Sequence, residues 1–402
     1  MNITIITDVF PYPLKSGGAQ AQFNMIDVLR KEHNISIIFA ENGRNKMRAM
    51  RILKRLWPEV AFFSFRYYRQ MLNPLFLKDK AVRAFKLKLM YDNPRFKVER
   101  VLKPYGVYFT KDFMNFINGV ISKTKADIVQ VEFFPYLQII DFLPHTVKKI
   151  FIHHEIRFVR NKRLLAGINM TEREKQQEIY TKEREIKTLN MYDAVVTLTK
   201  TDKDILECNG VVVSIFVSPA AVNTPQIPFK AWNGSVVFIG GYGHYPNKEG
   251  VDWFLDEVMP LMTVDVSLQI IGMGWPSYYE QKTGDVKLLG FVERLEDIVP
   301  GSIMIVPILS GSGMRMKILD AAAMNVPFIT TSVGVEGLDF KNEESCLVAD
   351  TPIEFAAALE RLVKDEALRR KIANNAFAVF DETYSKLALA KVRDNIYSFI
   401  VE

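Results

Sequence analysis

The chain reads as an α/β protein of two doubly wound, Rossmann-like domains facing each other across a cleft. Three observations carry that expectation. Its 402 residues are more than one hydrophobic core readily supports, so two domains are expected. Short apolar runs rich in Val and Ile recur with helical stretches between them, as strands buried on both faces of a parallel sheet should. The series is interrupted by "VNTPQIPFKAWNG" from Val222, whose two prolines mark a linker.

Taken in order, the first series is "ITIIT" from Ile3, "ISIIFA" from Ile35, "DIVQVE" from Asp127, "KIFIHH" from Lys149, "AVVTLT" from Ala194 and "VVVSIFV" from Val211. The second is "SVVFIGG" from Ser235, "VSLQIIG" from Val266, "VKLLG" from Val286, "SIMIVPI" from Ser302 and "VPFITT" from Val326. The expected division is 1–222 for an acceptor-binding domain and 223–384 for a nucleotide-binding domain. A final helix over 385–402 is expected to pack back on the first domain. Ligands of such sheets bind outside the carboxyl ends of the strands.

Hydrophobic content of 49% and charged content of 24% are ordinary for a globular protein. No apolar run approaches the roughly 20 residues that span a bilayer. The start "MNITIITDVFPYP" has no basic leader and reads as a first strand, against a secretory signal. Cys208 and Cys346 have neither metal-ligand spacing nor the makings of a disulfide framework, which points to a reducing compartment, the cytoplasm. The net charge of +6 is uneven: Glu41 to Lys111 holds eighteen Lys and Arg against five Asp and Glu. Such asymmetry suggests a surface that meets something anionic. Within it, the stretch 44–103 interleaves cations with Trp57, Phe62, Phe63, Phe65, Tyr67 and Tyr68. This suits an anionic membrane surface, but also two solvated amphipathic helices or electrostatic binding of nucleic acid.

The chemistry gathers in "LSGSGMRMKILDAAAMNVP", Leu309 to Pro327. A strand ends, a Gly/Ser turn follows, and a helix runs from about Met314 to Met324, with Asn325 suited to the left-handed position after it. Arg315 and Lys317 stand where cations oppose the helix dipole. An anionic ligand removes the conflict, held by the free N–H groups around Gly313 and Met314 and by the two cations. Asp320, three residues after Lys317, is placed to accept from paired hydroxyls such as those of a ribose. The alternative is a local Lys317–Asp320 pair of little energy. Gly17 and Gly18 after the first strand either let the backbone approach a phosphate or simply turn the chain. His153 and His154 close a strand, and since neighbours there point opposite ways only one can serve a ligand. Asp202 and Asp204 form an Asp-x-Asp string of the kind that binds a divalent metal, yet they open a helix, where acidic capping accounts for them.

The segment "GMRMKILD" resembles the nucleotide-sugar site of retaining glycosyltransferases of the GT-B fold, glycosyltransferase family 4. The resemblance extends through "SGGA", "HHEIRFVRNKRL", "VVTLTKTDKDIL", "SPAAVN", "VVFIGGYGHYPNKEGVDWF", "IIGMGW" and "TTSVGVEGL". It implies transfer of a sugar from a nucleoside-diphosphate sugar to a glycan or lipid-linked acceptor in cell-surface polysaccharide synthesis. It implies catalytic roles for His154, Arg315 and Lys317. It implies donor contacts from Gly17, Gly18, Gly241, Asn247, Lys248, Gly313, Met314 and Asp320. No cofactor, metal or nucleic acid is expected, and the protein is expected in the cytoplasm or on the inner face of the cytoplasmic membrane. Departures from the family pattern are Ser312 where a first glutamate stands, Asp320 for the second, and Gly241 for an arginine. A non-catalytic relative, a sugar-nucleotide epimerase of the same fold and a nucleic-acid-binding module are the rival readings.

Overall fold

The computed structural model describes residues 1–14, 16–41, 44–66, 98, 101–102, 109–220, 222, 225, 227–283, 285–311 and 314–402. The chain forms two compact units. The first comprises Met1–Pro13, Ile26–Ser218 and Arg393–Glu402; the second comprises Leu14–Met25 and Pro219–Val392.

The first unit is built on a seven-stranded sheet: β1 (Asn2–Thr7), β2 (Asn34–Ala40), β3 (Ala61–Phe65), β4 (Ile128–Glu132), β5 (Lys148–His153), β6 (Ala194–Thr197) and β7 (Ser214–Val217). All pairings are parallel, in the order β3-β2-β1-β4-β5-β6-β7. The order reverses between β1 and β4, where a doubly wound sheet opens its ligand crevice. The strands are apolar on both faces because helices cover both. Phe113, Ile117 and Ile121 of the Lys111–Thr124 helix pack on Val129, Val131 and Phe151 of the sheet.

The second unit has six parallel strands: β8 (Ser235–Ile239), β9 (Ser267–Ile271), β10 (Val286–Gly290), β11 (Ile303–Val306), β12 (Phe328–Thr330) and β13 (Leu347–Val348). Their order is β10-β9-β8-β11-β12-β13, with its reversal between β8 and β11. Phe238, Ile270, Ile305 and Phe355 are among the residues of its core. Where no ligand is in question, helix starts are capped by side chains. Thr171 and Glu174 form a capping box, and Thr110, Thr199 and Thr351 each accept from an N–H of the first turn.

Two strands lie outside the apolar runs of the sequence. β13 is only two residues long, too short for any periodicity. β3 sits in the basic, aromatic-rich stretch, so that segment is not wholly helical. Arg44–Leu56 is a helix, but Ala61–Phe65 is the edge strand beside β2. This corrects the reading of its aromatics as a surface layer. Trp57 is buried and donates its Nε1 hydrogen to Asp27 (3.0 Å), Phe63 and Phe65 pack on the core, and Phe62 lies near Phe10. Tyr67, Tyr68 and the cations from Arg69 to Lys97 lie outside the described residues. What the helix exposes is cationic: Arg48, Arg51, Lys54 and Arg55, with Leu56 beside them.

Candidate active site

At the reversal point of the second unit two helix starts converge, Met316–Ala323 after β11 and Tyr245–Trp253 after β8. Neither has a side-chain cap: Arg315 and His244 hold the cap positions without one. At the first of these starts Ile318 N–H turns back to the Arg315 carbonyl (2.9 Å), and at the second Pro246 has no N–H while Asn247 and Lys248 donate to the His244 carbonyl (3.0 and 3.3 Å). The first turn after Arg315 is therefore the one that can offer backbone N–H groups to an anion. The convergence is close because of glycine. A β-carbon on Gly250 would stand 2.0 Å from the carbonyl oxygen of Pro307, and one on Gly240 would stand 2.6 Å from the Asn247 amide. The helix therefore seats directly on the end of β11, and Asn247 tucks against the end of β8.

Arg315 and Lys317 differ in exposure from the open helix start expected of both. Lys317 is turned inward: its ammonium donates to Asn247 Oδ1 (2.8 Å) and lies 4.0 Å from the centre of the Phe238 ring. Burial pushes its pKa well below the ordinary lysine range, the Arg315 charge adds to that, and Asp320 opposes it. Arg315 is half-buried, with a guanidinium nitrogen 3.5 Å from the Val333 carbonyl. Asp320 is 3% exposed, and burial raises its carboxyl to about 7 against the lowering effect of Gln20 and Lys317. Its Oδ1 accepts from Gln20 Nε2 at 3.0 Å. Gln20 belongs to the helix Gly17–Leu29, whose first residue lies against Met316. Gly17 and Gly18 thus open a helix in contact with Met316 and, through Gln20, with Asp320.

The remaining donor candidates divide. Asn247 donates its side-chain N–H to the Gly241 carbonyl (3.0 Å), so Gly241, Asn247 and Lys317 form one cluster. Lys248 is not part of it: it pairs with Asp252 along its own helix at 2.6 Å. Met314 precedes the helix and is half-buried, while Ser312 and Gly313 lie outside the described residues.

In the first unit, the two histidines at the end of β5 part company. His153 is 1% exposed, and its Nε2 lies 2.9 Å from Glu185, which also accepts from the N–H groups of Arg157 and Phe158 at a helix start. It is an interior residue. His154 turns the other way, with Nε2 3.0 Å from Glu132 and its ring stacked on Phe133 at 4.0 Å and 8°. Burial pushes the Glu132 carboxyl up, but His154, Arg393 and Gln130 outweigh it and hold it below its ordinary value. Glu132, Gln20 and Phe133 were not among the candidates. A signal for the first existed: Gln130 and Glu132 put polar side chains on one face of a strand that is otherwise apolar.

Asp202 and Asp204 do different things. Asp202 is buried and shares a hydrogen bond with the cap hydroxyl of Thr199 (2.9 Å), while exposed Asp204 pairs with Lys200 at 2.8 Å. Among the described residues no three His, Cys, Asp or Glu side chains cluster as metal ligands, and no helix is long and apolar enough to cross a membrane.

Two parallel, doubly wound units with these switch-point sites define the GT-B class of fold. Residues 233–365, which lie within the second unit, match the family model of glycosyl transferases group 1. Over 170 residues the chain is 28% identical to an uncharacterised 44.6 kDa protein in the cps region of Klebsiella pneumoniae. That match spans 39% of this chain and less than half, 44%, of the relative. A TarM variant of S. aureus, solved with Fondaparinux, alpha-GlcNAc-glycerol and UDP, superposes with a TM-score of 0.68 at 12% identity, over 99% of this chain and 100% of that one. Anabaena HepE, solved with UDP and glucose, gives 0.65 at 12% identity over 99% of each.

Proposed function

We propose that the protein is a retaining glycosyltransferase that moves a sugar from a nucleoside-diphosphate donor to a glycan or lipid-linked acceptor. One observation carries the reading most. Two uncapped helix starts, Arg315, Lys317 and Asp320 converge where the second sheet reverses, which is a site for a diphosphate and its ribose. The group 1 family match covers this site, and two structural relatives hold UDP.

Departure of the diphosphate concentrates negative charge while the glycosidic bond breaks. Arg315 and the start of the Met316–Ala323 helix meet that charge in fixed orientation, without reorganisation at the moment of reaction. Lys317 is held between Asn247 and Phe238, and a diphosphate beside it favours its charged form against the effect of burial. Asp320 exchanges the Gln20 amide for ribose hydroxyls. These groups supply the charge that a metal would bring, so the transfer is metal-independent. His154 serves the transferred sugar or the incoming hydroxyl. The relative in the cps region of Klebsiella pneumoniae supports a cell-surface glycan as product. The exposed cations of Arg44–Leu56 would hold the protein to the anionic inner face of the membrane where a lipid-linked acceptor lies.

The test is a thermal-shift panel of UDP-, GDP- and ADP-sugars on the purified chain, followed by turnover of the best ligand. Nucleoside diphosphate released only when acceptor is added supports transfer. Conversion of the sugar without acceptor identifies an epimerase, and stabilisation without any turnover a non-catalytic relative.

A further inference from the structure

The last helix, Lys386–Val401, sends Arg393 and Tyr397 into the first unit from one face, four residues apart. Both are 0% exposed. Arg393 Nε donates to Ser218 Oγ at 2.7 Å, and Tyr397 donates its hydroxyl hydrogen to Gln130 Oε1 at 2.6 Å. Gln130 in turn donates to Glu132 Oε1 at 2.6 Å, and Glu132 Oε2 faces His154 Nε2 at 3.0 Å. A continuous line of hydrogen bonds therefore runs from Tyr397 to His154. Beyond it, His33 Nε2 meets Asp394 at 2.8 Å and its ring stands edge-on to Tyr397.

We infer that Arg393 and Tyr397 are positioning residues for His154, acting through Glu132 and Gln130 to fix which imidazole nitrogen is left for the substrate. An ionised carboxylate can only accept. Its contact with His154 Nε2 therefore places the proton on Nε2 and leaves the Nδ1 lone pair outward. Two further features hold the ring. It lies flat on Phe133, and Phe133 itself has φ of 68°, a left-handed backbone that a bulky residue rarely adopts. Burial in a dry interior raises the Glu132 carboxyl, but its hydrogen bond to His154 and the charge facing it there, with Arg393 and Gln130 adding to them, outweigh burial and hold it below its ordinary value. With Nε2 engaged by the carboxylate, Nδ1 is the nitrogen of His154 left to meet a ligand.

This rests on the reading of His154 as the residue that serves the sugar or acceptor, but it can be tested without either. The groups that bear on the imidazole are Glu132 and, through it, Arg393, Tyr397 and Gln130. Asp394 with His33 lies behind them. His153 with Glu185 lies on the opposite side of β5, and Glu155, Arg157 and Arg160 follow in the chain. Only five histidines are present, so nitrogen-15 NMR of the histidine-labelled, full-length chain resolves His154, assigned by its loss in His154→Gln.

The wild type should show the Nε2–H form. Glu132→Gln removes the anion and should abolish the preference for one tautomer. Tyr397→Phe frees Gln130 from its partner and should lower the Nε2–H population while Glu132 stays in place. Arg393→Gln takes the guanidinium from Ser218 and should do the same. Arg393→Lys keeps the charge and should leave the tautomer as in the wild type, which also serves if Arg393→Gln does not fold. An Nε2–H signal unchanged in Glu132→Gln, or unchanged in both Tyr397→Phe and Arg393→Gln, overturns the inference. Because no substrate is present, a failed transfer assay leaves this result untouched, and unmoved His154 signals leave the transfer reading untouched.

Discussion

The two reversal points of this chain are built in opposite ways. In the second unit the proposed anion site comes from neighbouring residues: Arg315, Lys317 and Asp320 fall within six positions, at one helix start. In the first unit the surroundings of His154 come from Glu132, Phe133, Arg393 and Tyr397, spread over more than 260 positions of sequence. A site made at a helix start takes its geometry from the backbone, so single side chains can be changed with local effect. A buried polar line takes its geometry from packing, so each member depends on the others.

The largest expected effect tests the local site. Arg315→Ala should lower kcat/KM for the nucleotide sugar roughly 10- to 100-fold, as the loss of a charge-assisted contact does, and leave the melting temperature unchanged. Lys317→Ala should lose as much activity and also melt earlier, because Lys317 holds Asn247 and covers Phe238. Wild-type turnover in both would remove the diphosphate site. In the first unit the ranking should invert between neighbours. His153→Gln loosens the buried Glu185 contact and should cost about 1.5–3 kcal/mol of stability in denaturant, whereas His154→Gln should spare stability and reduce kcat. Equal effects on both quantities would break the distinction between interior and site histidine.

Next comes the basic helix. Reversing exposed Arg51, Lys54 and Arg55 to glutamate should abolish low-salt sedimentation with anionic vesicles, each cation contributing up to about 1 kcal/mol. Donor binding should survive. If neutral and anionic vesicles pull down the wild type equally, the helix is only a solvated face.

Asp320 gives a smaller, pH-dependent effect. Its carboxyl is raised in the folded protein to about 7, so folding favours its protonated form. The stability this provides is complete at acid pH and is lost as pH rises through 7. Between pH 6 and 8 the loss is on the order of 1 kcal/mol. Urea unfolding should show that slope in the wild type and not in Asp320→Asn, which should mainly raise the apparent donor constant. The smallest expected effect is none: turnover in EDTA should match turnover in manganese or magnesium. A loss restored by metal would show that Arg315, Lys317 and the helix starts are insufficient.

The same contrast explains what the sequence let one read. The strands of both sheets stand out because parallel strands covered on both faces are apolar throughout. The helix after β11 stands out because turn, cations and left-handed Asn325 are contiguous, and Asn325 indeed has φ of 58°. β3 did not, because an edge strand within a cationic stretch is only half-buried and mixes both signals. Gln20 as the partner of Asp320, 300 positions away, and Glu132 as the partner of His154 were illegible for a different reason. Their meaning depends on which elements touch, and no local pattern encodes that. The inward turn of Lys317 belongs here too, since composition at a helix start says nothing of an aromatic ring beneath it.

The placement of Arg393–Glu402 within the first unit bears on how the molecule is made. A ribosome delivers the first unit's seven strands well before its last helix, and the whole second unit emerges in between. Domains generally fold as they are synthesised, from the amino end. Until Arg393–Glu402 arrive, Gln130 and Glu132 line the interior of the sheet without the tyrosine hydroxyl and the guanidinium that complete them. The nascent first unit can therefore form its core early while His154 still lacks its final setting. That histidine is completed only after the whole second unit has been synthesised.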